Sequence, residues 1–166
     1  MTLSESDRRR VADWAADCAD LTLSWFELAA PHDPRPRAAI EGARAFARGE
    51  LRVGIARRLA AGAHAAARGV ADPAATAAAR AAGHAVATAH MASHALGAPA
   101  YAALAAHSGG GGDQLTAEAV CGWALDHASA AVRGVLCRLP IRPQSRGALG
   151  QLIYTLDRAL RAASPT

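Results

Sequence analysis

The chain has 166 residues and a formal net charge of +4, and all 18 of its basic residues are arginine. This length predicts one domain that buries its own hydrophobic core. The arginines are interleaved with acids, and aromatic residues make up only 4% of the sequence, which argues against a nucleic-acid-binding protein with one basic, aromatic face. Cys18, Cys121 and Cys137 lack a CxxC spacing, which predicts buried thiols rather than disulfides or a zinc site.

The N-terminal residues contain no apolar signal segment. Residues 81–112 lack Asp, Glu, Lys and Arg over a length that could cross a bilayer, but they consist mostly of Ala, Gly and His. We therefore expect no transmembrane span and a cytoplasmic location.

Helical periodicity runs along the chain and no segment has the pattern of a strand, so the sequence predicts an all-α fold. We expect a single-domain bundle of five to seven helices around a central helix rich in alanine and histidine. A flexible glycine loop is expected at 108–113. The expected helices cover residues 6–29, 35–48, 50–68, 74–96, 116–138 and 144–162, with a short continuation at 99–106.

The first predicted helix carries an apolar seam at alternating spacings of three and four: Val11, Trp14, Cys18, Leu21, Trp25 and Leu28. Beside the seam lies an acidic stripe of Asp13, Asp17 and Asp20. Carboxylates on one face repel each other, so they require cationic partners. The stripe is either a solvated face or, in a second interpretation, places Asp17 against an inner arginine.

The second predicted helix, with Asp33 as its N-cap, supplies a complementary polar stripe: Arg37, Glu41, Arg44 and Arg48. Ion pairing between the two helices is the simpler interpretation of the two stripes. The third predicted helix contains a single histidine, His64, which we interpret as a core or boundary residue.

The fourth predicted helix contains His84, His90 and His94 among alanines. At about 100° per residue, His90 and His94 lie one turn apart, whereas His84 lies about 120° from the first and about 80° from the second. The spacing predicts a pair, His90 with His94, and an outlying His84. A His-x-x-x-His spacing also occurs in metal sites, but the Glu of the metalloprotease motif is replaced by Met91, and we expect no metal.

Four segments occur in order: WAADCAD with LTLSWFE (14–27), DPRPRAAIEGARAFARGE (33–50), ARRLAAGAHAAAR (56–68) and AARAAGHAVATAHMASHALGAPAYAALAA (78–106). Together they resemble a bacterial family of immunity proteins, the immunity-protein-five-like family. The similarity falls after the glycine loop, and residues 140–166 are less like the family. The positions that match the family's polar motifs are Asp17, Asp33, Arg35, Arg37, Glu41, Arg44, Arg80, His84, His90 and His94.

The resemblance implies a small, all-helical, cytoplasmic protein that binds and neutralises a toxin partner. As binding residues we expect Arg37, Glu41, Arg44, Arg80, His84 and Tyr101. We expect no cofactor, and no nucleic-acid or membrane partner.

An alternative function remains open, because the polar residues lie on helices that are predicted to be buried and could line a pocket. It is a small-molecule enzyme of bacterial specialised metabolism, performing a cyclisation, isomerisation or hydration by acid–base chemistry. In such an enzyme His90 or His94 would transfer the proton. Asp17 or Asp33 would orient that histidine. Arg37 or Arg44 would hold an anionic substrate group.

Overall fold

The computed structural model describes residues 3–109 and 115–162. Within these ranges the chain is all-helical and contains no strand, which confirms the predicted fold class. The described residues form nine α-helices and one 3-10 helix, more than the five to seven that we expected. In chain order they are α1 Glu5–Asp20, α2 Leu23–Ala29, α3 Arg35–Ala47, α4 Val53–Arg68, α5 Pro73–Ala87, the 3-10 helix Ala92–Leu96, α6 Gly97–Ser108, α7 Ala117–Asp126, α8 Ala130–Cys137 and α9 Ala148–Ala162.

The predicted helix 6–29 breaks after Asp20. The backbone N–H of Thr22 and its buried side-chain hydroxyl both donate to the carbonyl of Ala19, and α2 begins at the next residue, Leu23. The break buries Leu23 and Phe26 in place of the predicted seam residue Leu28, whose side chain is 80% exposed. The predicted seam is therefore correct within α1 and at Leu21 and Trp25, which pack against the core, and wrong at Leu28.

The predicted helix 116–138 also breaks, between Asp126 and Ala130, and gives α7 and α8. The hydroxyl of Ser129 caps α8 by accepting from the N–H of Val132 at 3.2 Å. The predicted glycine loop begins where α6 ends at Ser108, but residues 110–113 lie outside the described part of the chain.

The helix α3 agrees with the prediction because its end has a local cause. Gly49 has a positive φ of 81°, a conformation that favours glycine, and the chain turns there toward α4. A Cβ at this position would also lie 3.0 Å from Nη1 of Arg9.

The helix α5 packs against α1, α2, α3, α4 and α6. Its buried residues are almost all alanine and glycine, so neighbouring helices approach it closely. We expected this helix to extend from Ala74 to Leu96, and that is wrong because α5 ends at Ala87. The buried hydroxyl of Thr88 donates to the carbonyl of His84, and the chain becomes extended at Met91 before the 3-10 helix begins.

The C-terminal helix α9 is attached to the rest of the protein by polar bonds. Arg161 donates to the carbonyl oxygens of Cys137 and Leu139, both at 2.8 Å, and to the buried carboxylate of Asp157 at 3.0 Å. The same carboxylate accepts from the backbone N–H of Arg142 at 3.1 Å. No helix in the described ranges is long and apolar enough to cross a membrane.

Candidate functional site

Five rings from four elements and one turn meet in what we call the histidine cluster: His64, His84, His90, His94 and Tyr101. The ring centroid of His84 lies 5.5 Å from that of His64, 4.9 Å from that of His94 and 5.0 Å from that of Tyr101. The Nδ1 atoms of His84 and His94 are 3.2 Å apart, so one of the two imidazoles donates a hydrogen bond to the other.

The central member of the cluster is His84, which the helical spacing predicted to point away from the other two. The prediction is wrong because α5 ends three residues after His84. The turn that follows carries His90, and the 3-10 helix brings His94 back onto His84. The rings of His90 and His94 do lie close, with centroids 5.5 Å apart, but they are not on successive turns of one helix.

Two glycines provide the space that the imidazoles occupy. A Cβ at Gly83 would lie 2.7 Å from Cε1 of His64, and a Cβ at Gly97 would overlap Nδ1 of His84. The cluster therefore depends on the absence of side chains at these two positions.

The substitution Gly97→Ala is expected to lower the free energy of unfolding by about 1–3 kcal/mol, because the new methyl group would displace the half-buried ring of His84. Urea denaturation followed by circular dichroism measures this change. Gly122→Ala is the matched control: it lies inside α7 with no atom within 4 Å of the new Cβ, so this change should be neutral or slightly stabilising. Equal effects at both positions would contradict the packing described here.

Burial lowers the pKa of all four histidines of the cluster, and nearby positive groups lower it further. The pKa of His84 falls to about 3, first through burial and then through His94 and His64. Among the described residues no carboxylate acts on these four imidazoles. The histidines are therefore neutral at pH 7 and lack the carboxylate partner that orients a catalytic histidine.

The carboxylates that we assigned to orient a catalytic histidine lie in ion pairs elsewhere. Asp17 and Asp20 each accept from Nη2 of Arg44, at 3.0 and 2.9 Å, and Glu41 accepts from its Nη1 at 2.9 Å. The predicted pairing of the two polar stripes thus occurs in the structure. Asp33 accepts from the side chain of the adjacent Arg35.

Arginine side chains around the histidine cluster have no such partner. Arg57, Arg68 and Arg80, which we call the arginine rim, are exposed, and none of them lies within ion-pair distance of a carboxylate in the described ranges. Each lowers the pKa of a cluster histidine: Arg57 acts on His90, and Arg68 and Arg80 act on His64.

Only Arg80 of this rim was among the expected binding residues. A sequence feature could have identified Arg57 and Arg68 as well. No Asp or Glu occurs between Glu50 and Asp72 or between Asp72 and Asp113, so these arginines have no acidic neighbour along the chain. Arg37, by contrast, is engaged by Glu27 at 2.5 Å.

Two clefts on the described surface include residues of the predicted site. The first, of about 550 Å³, lies between α1, the end of α3 and the turn joining α7 to α8, and its wall includes Asp13, Asp17 and the stacked rings of Trp123 and His127. The second, of about 520 Å³, contains His90, and nothing in the sequence predicted it. No group of three His, Cys, Asp or Glu in the described residues has the geometry to hold a metal ion.

The described residues form a small all-helical protein in which the histidine cluster lies beside the arginine rim. The chain belongs to the family described as Imm-5 like putative immunity protein, whose model matches residues 1–131. No match was found among curated proteins or among solved structures. The matched residues include the whole histidine cluster and the arginine rim, and they end inside α8.

Proposed function

We propose that this protein neutralises a bacterial toxin by binding it in the cytoplasm of the cell that it protects. The observation that carries the proposal is the membership of the chain in the family described as Imm-5 like putative immunity protein. Such a protein acts through its surface, so the relevant residues are those that can reach a partner.

The arginine rim supports a docking surface on α4 and α5. Most other arginines in the described helices are held by carboxylates, whereas Arg57, Arg68 and Arg80 are solvated and free to form new ion pairs. The guanidinium of Arg80 lies 5.9 Å from the ring centroid of Tyr101, which is half-buried. Arginine and tyrosine are the residue types that most often dominate binding energy at interfaces.

The chemistry of the rim favours an acidic partner surface. Guanidinium groups bind carboxylates in a bidentate manner, and a cluster of one sign accelerates the encounter with a surface of the opposite sign. We therefore propose that the toxin presents Asp and Glu side chains to Arg57, Arg68 and Arg80.

The test is co-expression with the toxic domain encoded by the neighbouring gene, followed by titration calorimetry of the purified pair. Each reversal, Arg57→Glu, Arg68→Glu or Arg80→Glu, is expected to raise Kd about tenfold, equivalent to about 1.4 kcal/mol, and to reduce protection. Arg146→Glu is the matched control, since Arg146 is exposed, has the same charge and lies outside the matched residues.

Binding of the wild-type protein should also weaken as the salt concentration rises. A triple reversal that leaves both Kd and protection unchanged would contradict the docking surface. Absence of any binding to the neighbouring toxic domain would contradict the function itself.

A second candidate, the small-molecule enzyme, has one observation in its favour. His90 lines a cleft of about 520 Å³, and its Nδ1 atom is buried without a hydrogen-bond partner. Against it, Asp17 and Asp33 are bound to Arg44 and Arg35 and do not contact the histidines. The enzyme candidate therefore lacks the orienting carboxylate that we expected for it.

A further inference from the structure

The cleft that contains His90 is lined by residues that take no part in the proposed toxin binding. Its walls come from the N-terminal segment, from the turn after α5 and from the linker 139–143. The linker lies beyond residue 131, where the family match ends, so one wall of the cleft lies outside the matched residues. A volume of about 520 Å³ is in the range of pockets that hold small ligands.

Two guanidinium groups in this cleft are fixed by backbone carbonyls. Arg8 donates from Nε to the carbonyl of Ala89 at 2.9 Å and from Nη1 to that of Leu3 at 2.7 Å. Arg142 donates from Nη2 to the carbonyl of Ser93 at 3.1 Å. Each arginine keeps one terminal amino group, Nη2 of Arg8 and Nη1 of Arg142, with no hydrogen-bond partner among the described residues.

The same cleft contains unsatisfied buried groups. Of the four buried side-chain nitrogen atoms that lack a hydrogen bond in the described ranges, two belong to cleft residues, Nδ1 of His90 and Nε of Arg142. Each such atom costs about 1–3 kcal/mol of stability.

No carboxylate lines the described walls of the cleft. The buried carboxylate of Asp157, which contacts the linker, is already bound by Arg161 and by the backbone N–H of Arg142. The positive charges of Arg8 and Arg142 are therefore uncompensated within the cleft.

The remainder of the cleft is apolar. Met91 is 52% exposed and Ile141 is 72% exposed, and both line it together with Leu3 and Leu139. Large exposed apolar side chains gathered in a concave site favour a ligand with an apolar body.

We propose that this cleft binds an apolar carboxylate, with the carboxylate between Arg8 and Arg142 and the aliphatic body against Met91 and Ile141. Two terminal amino groups match the two oxygen atoms of a carboxylate. The site is a binding site without catalysis, and it is separate from the arginine rim. A free aliphatic acid and the C-terminus of an apolar peptide share this chemistry.

The experiment is isothermal titration of the full chain with octanoate, with 1-octanol as the uncharged control. Octanoate is expected to bind with a Kd below about 1 mM, and octanol at least tenfold more weakly. N-acetyl-leucyl-leucine and its C-terminal amide form the second arm. Tighter binding of the free peptide acid than of octanoate identifies a chain terminus as the ligand, whereas tighter binding of octanoate identifies a free acid.

The substitution Arg142→Gln is expected to weaken octanoate binding at least tenfold, while Arg146→Gln in the same segment leaves it unchanged. Because Arg142 also contacts the chain, a second variant, Ile141→Glu, places a carboxylate at an exposed cleft position and should exclude the ligand without unfolding the protein. Octanoate that fails to bind at 10 mM, or that binds Arg142→Gln and Ile141→Glu as well as the wild type, overturns the proposal. Charge reversal of Arg68 and Arg80, which act on His64 and not on the cleft residue His90, should leave octanoate binding unchanged, so the two proposals fail independently.

Discussion

Acidification from pH 7 to pH 4.5 is expected to remove about 2.5 kcal/mol from the free energy of unfolding. The cause is His84, whose pKa falls from an ordinary 6.5 to about 3 in the folded protein. Below pH 6.5 His84 is protonated in the unfolded chain but not in the folded chain. Each further unit of acidification then lowers the free energy of unfolding by about 1.4 kcal/mol.

The stability that His84 provides is therefore complete above pH 6.5 and is lost as the pH falls toward 3. The lowered pKa values of His64, His90 and His94 act in the same direction. The carboxyls of Asp7 and Asp33 have pKa values below the ordinary 3.8, held down chiefly by hydrogen bonds from Arg138 and Arg35, so their contributions are lost only at more acidic pH.

Urea denaturation at half-unit steps of pH measures this dependence. Between pH 6.5 and 4.5, the slope of the free energy of unfolding against pH should decrease in His84→Gln by the equivalent of about one bound proton. This holds whichever way the stability at pH 7 changes. His32→Gln, a change at an exposed histidine, is the control and should retain the wild-type slope. A wild-type free energy that stays flat from pH 7 to pH 5 would show that the cluster is protonated without cost.

The substitution Asp157→Ala is expected to lower the free energy of unfolding by about 3–5 kcal/mol. Asp157 is 1% exposed, and its carboxylate joins α9 to the linker through Arg161 and the backbone N–H of Arg142. Removal of the carboxylate leaves the partly buried guanidinium of Arg161 without its counter-charge.

Thermal unfolding and limited proteolysis of the linker 139–147 report the loss. The double variant Asp157→Ala/Arg161→Met should recover part of the stability, because it removes the unpaired charge along with its partner. Arg158→Ala on the exposed side of the same helix is the control and should change the free energy of unfolding by less than about 0.5 kcal/mol. If Asp157→Ala behaves like this control, the attachment of α9 rests on its apolar residues alone.

The all-α class and the boundaries of α3 could be predicted because their causes are local. Helical periodicity is a property of neighbouring residues, and Gly49 ends α3 through its own backbone conformation. The pairing of the two polar stripes could also be predicted from the sequence, since opposite charges on adjacent helices have few other partners.

The ends of α1 and α5 could not be predicted because no local residue breaks them. Thr22 and Thr88 sit at these breaks, and threonine is tolerated inside helices as well as at their ends. Tertiary packing decides where these helices end, and the break after α5 places His84, the predicted outlier, at the centre of the histidine cluster. A cluster formed by a chain reversal does not follow from angles measured along one helix.

The alanine packing of α5 has a consequence for how this protein can diverge. Where α5 meets its neighbours through methyl groups, the backbones fix the helix positions and the outward-facing side chains contribute little to them. Substitutions at exposed positions such as Arg57, Arg68 and Arg80 therefore change the free energy of folding by about 0.5 kcal/mol or less. The surface that we propose to bind a toxin can therefore exchange its side chains while the interior of the scaffold stays constant.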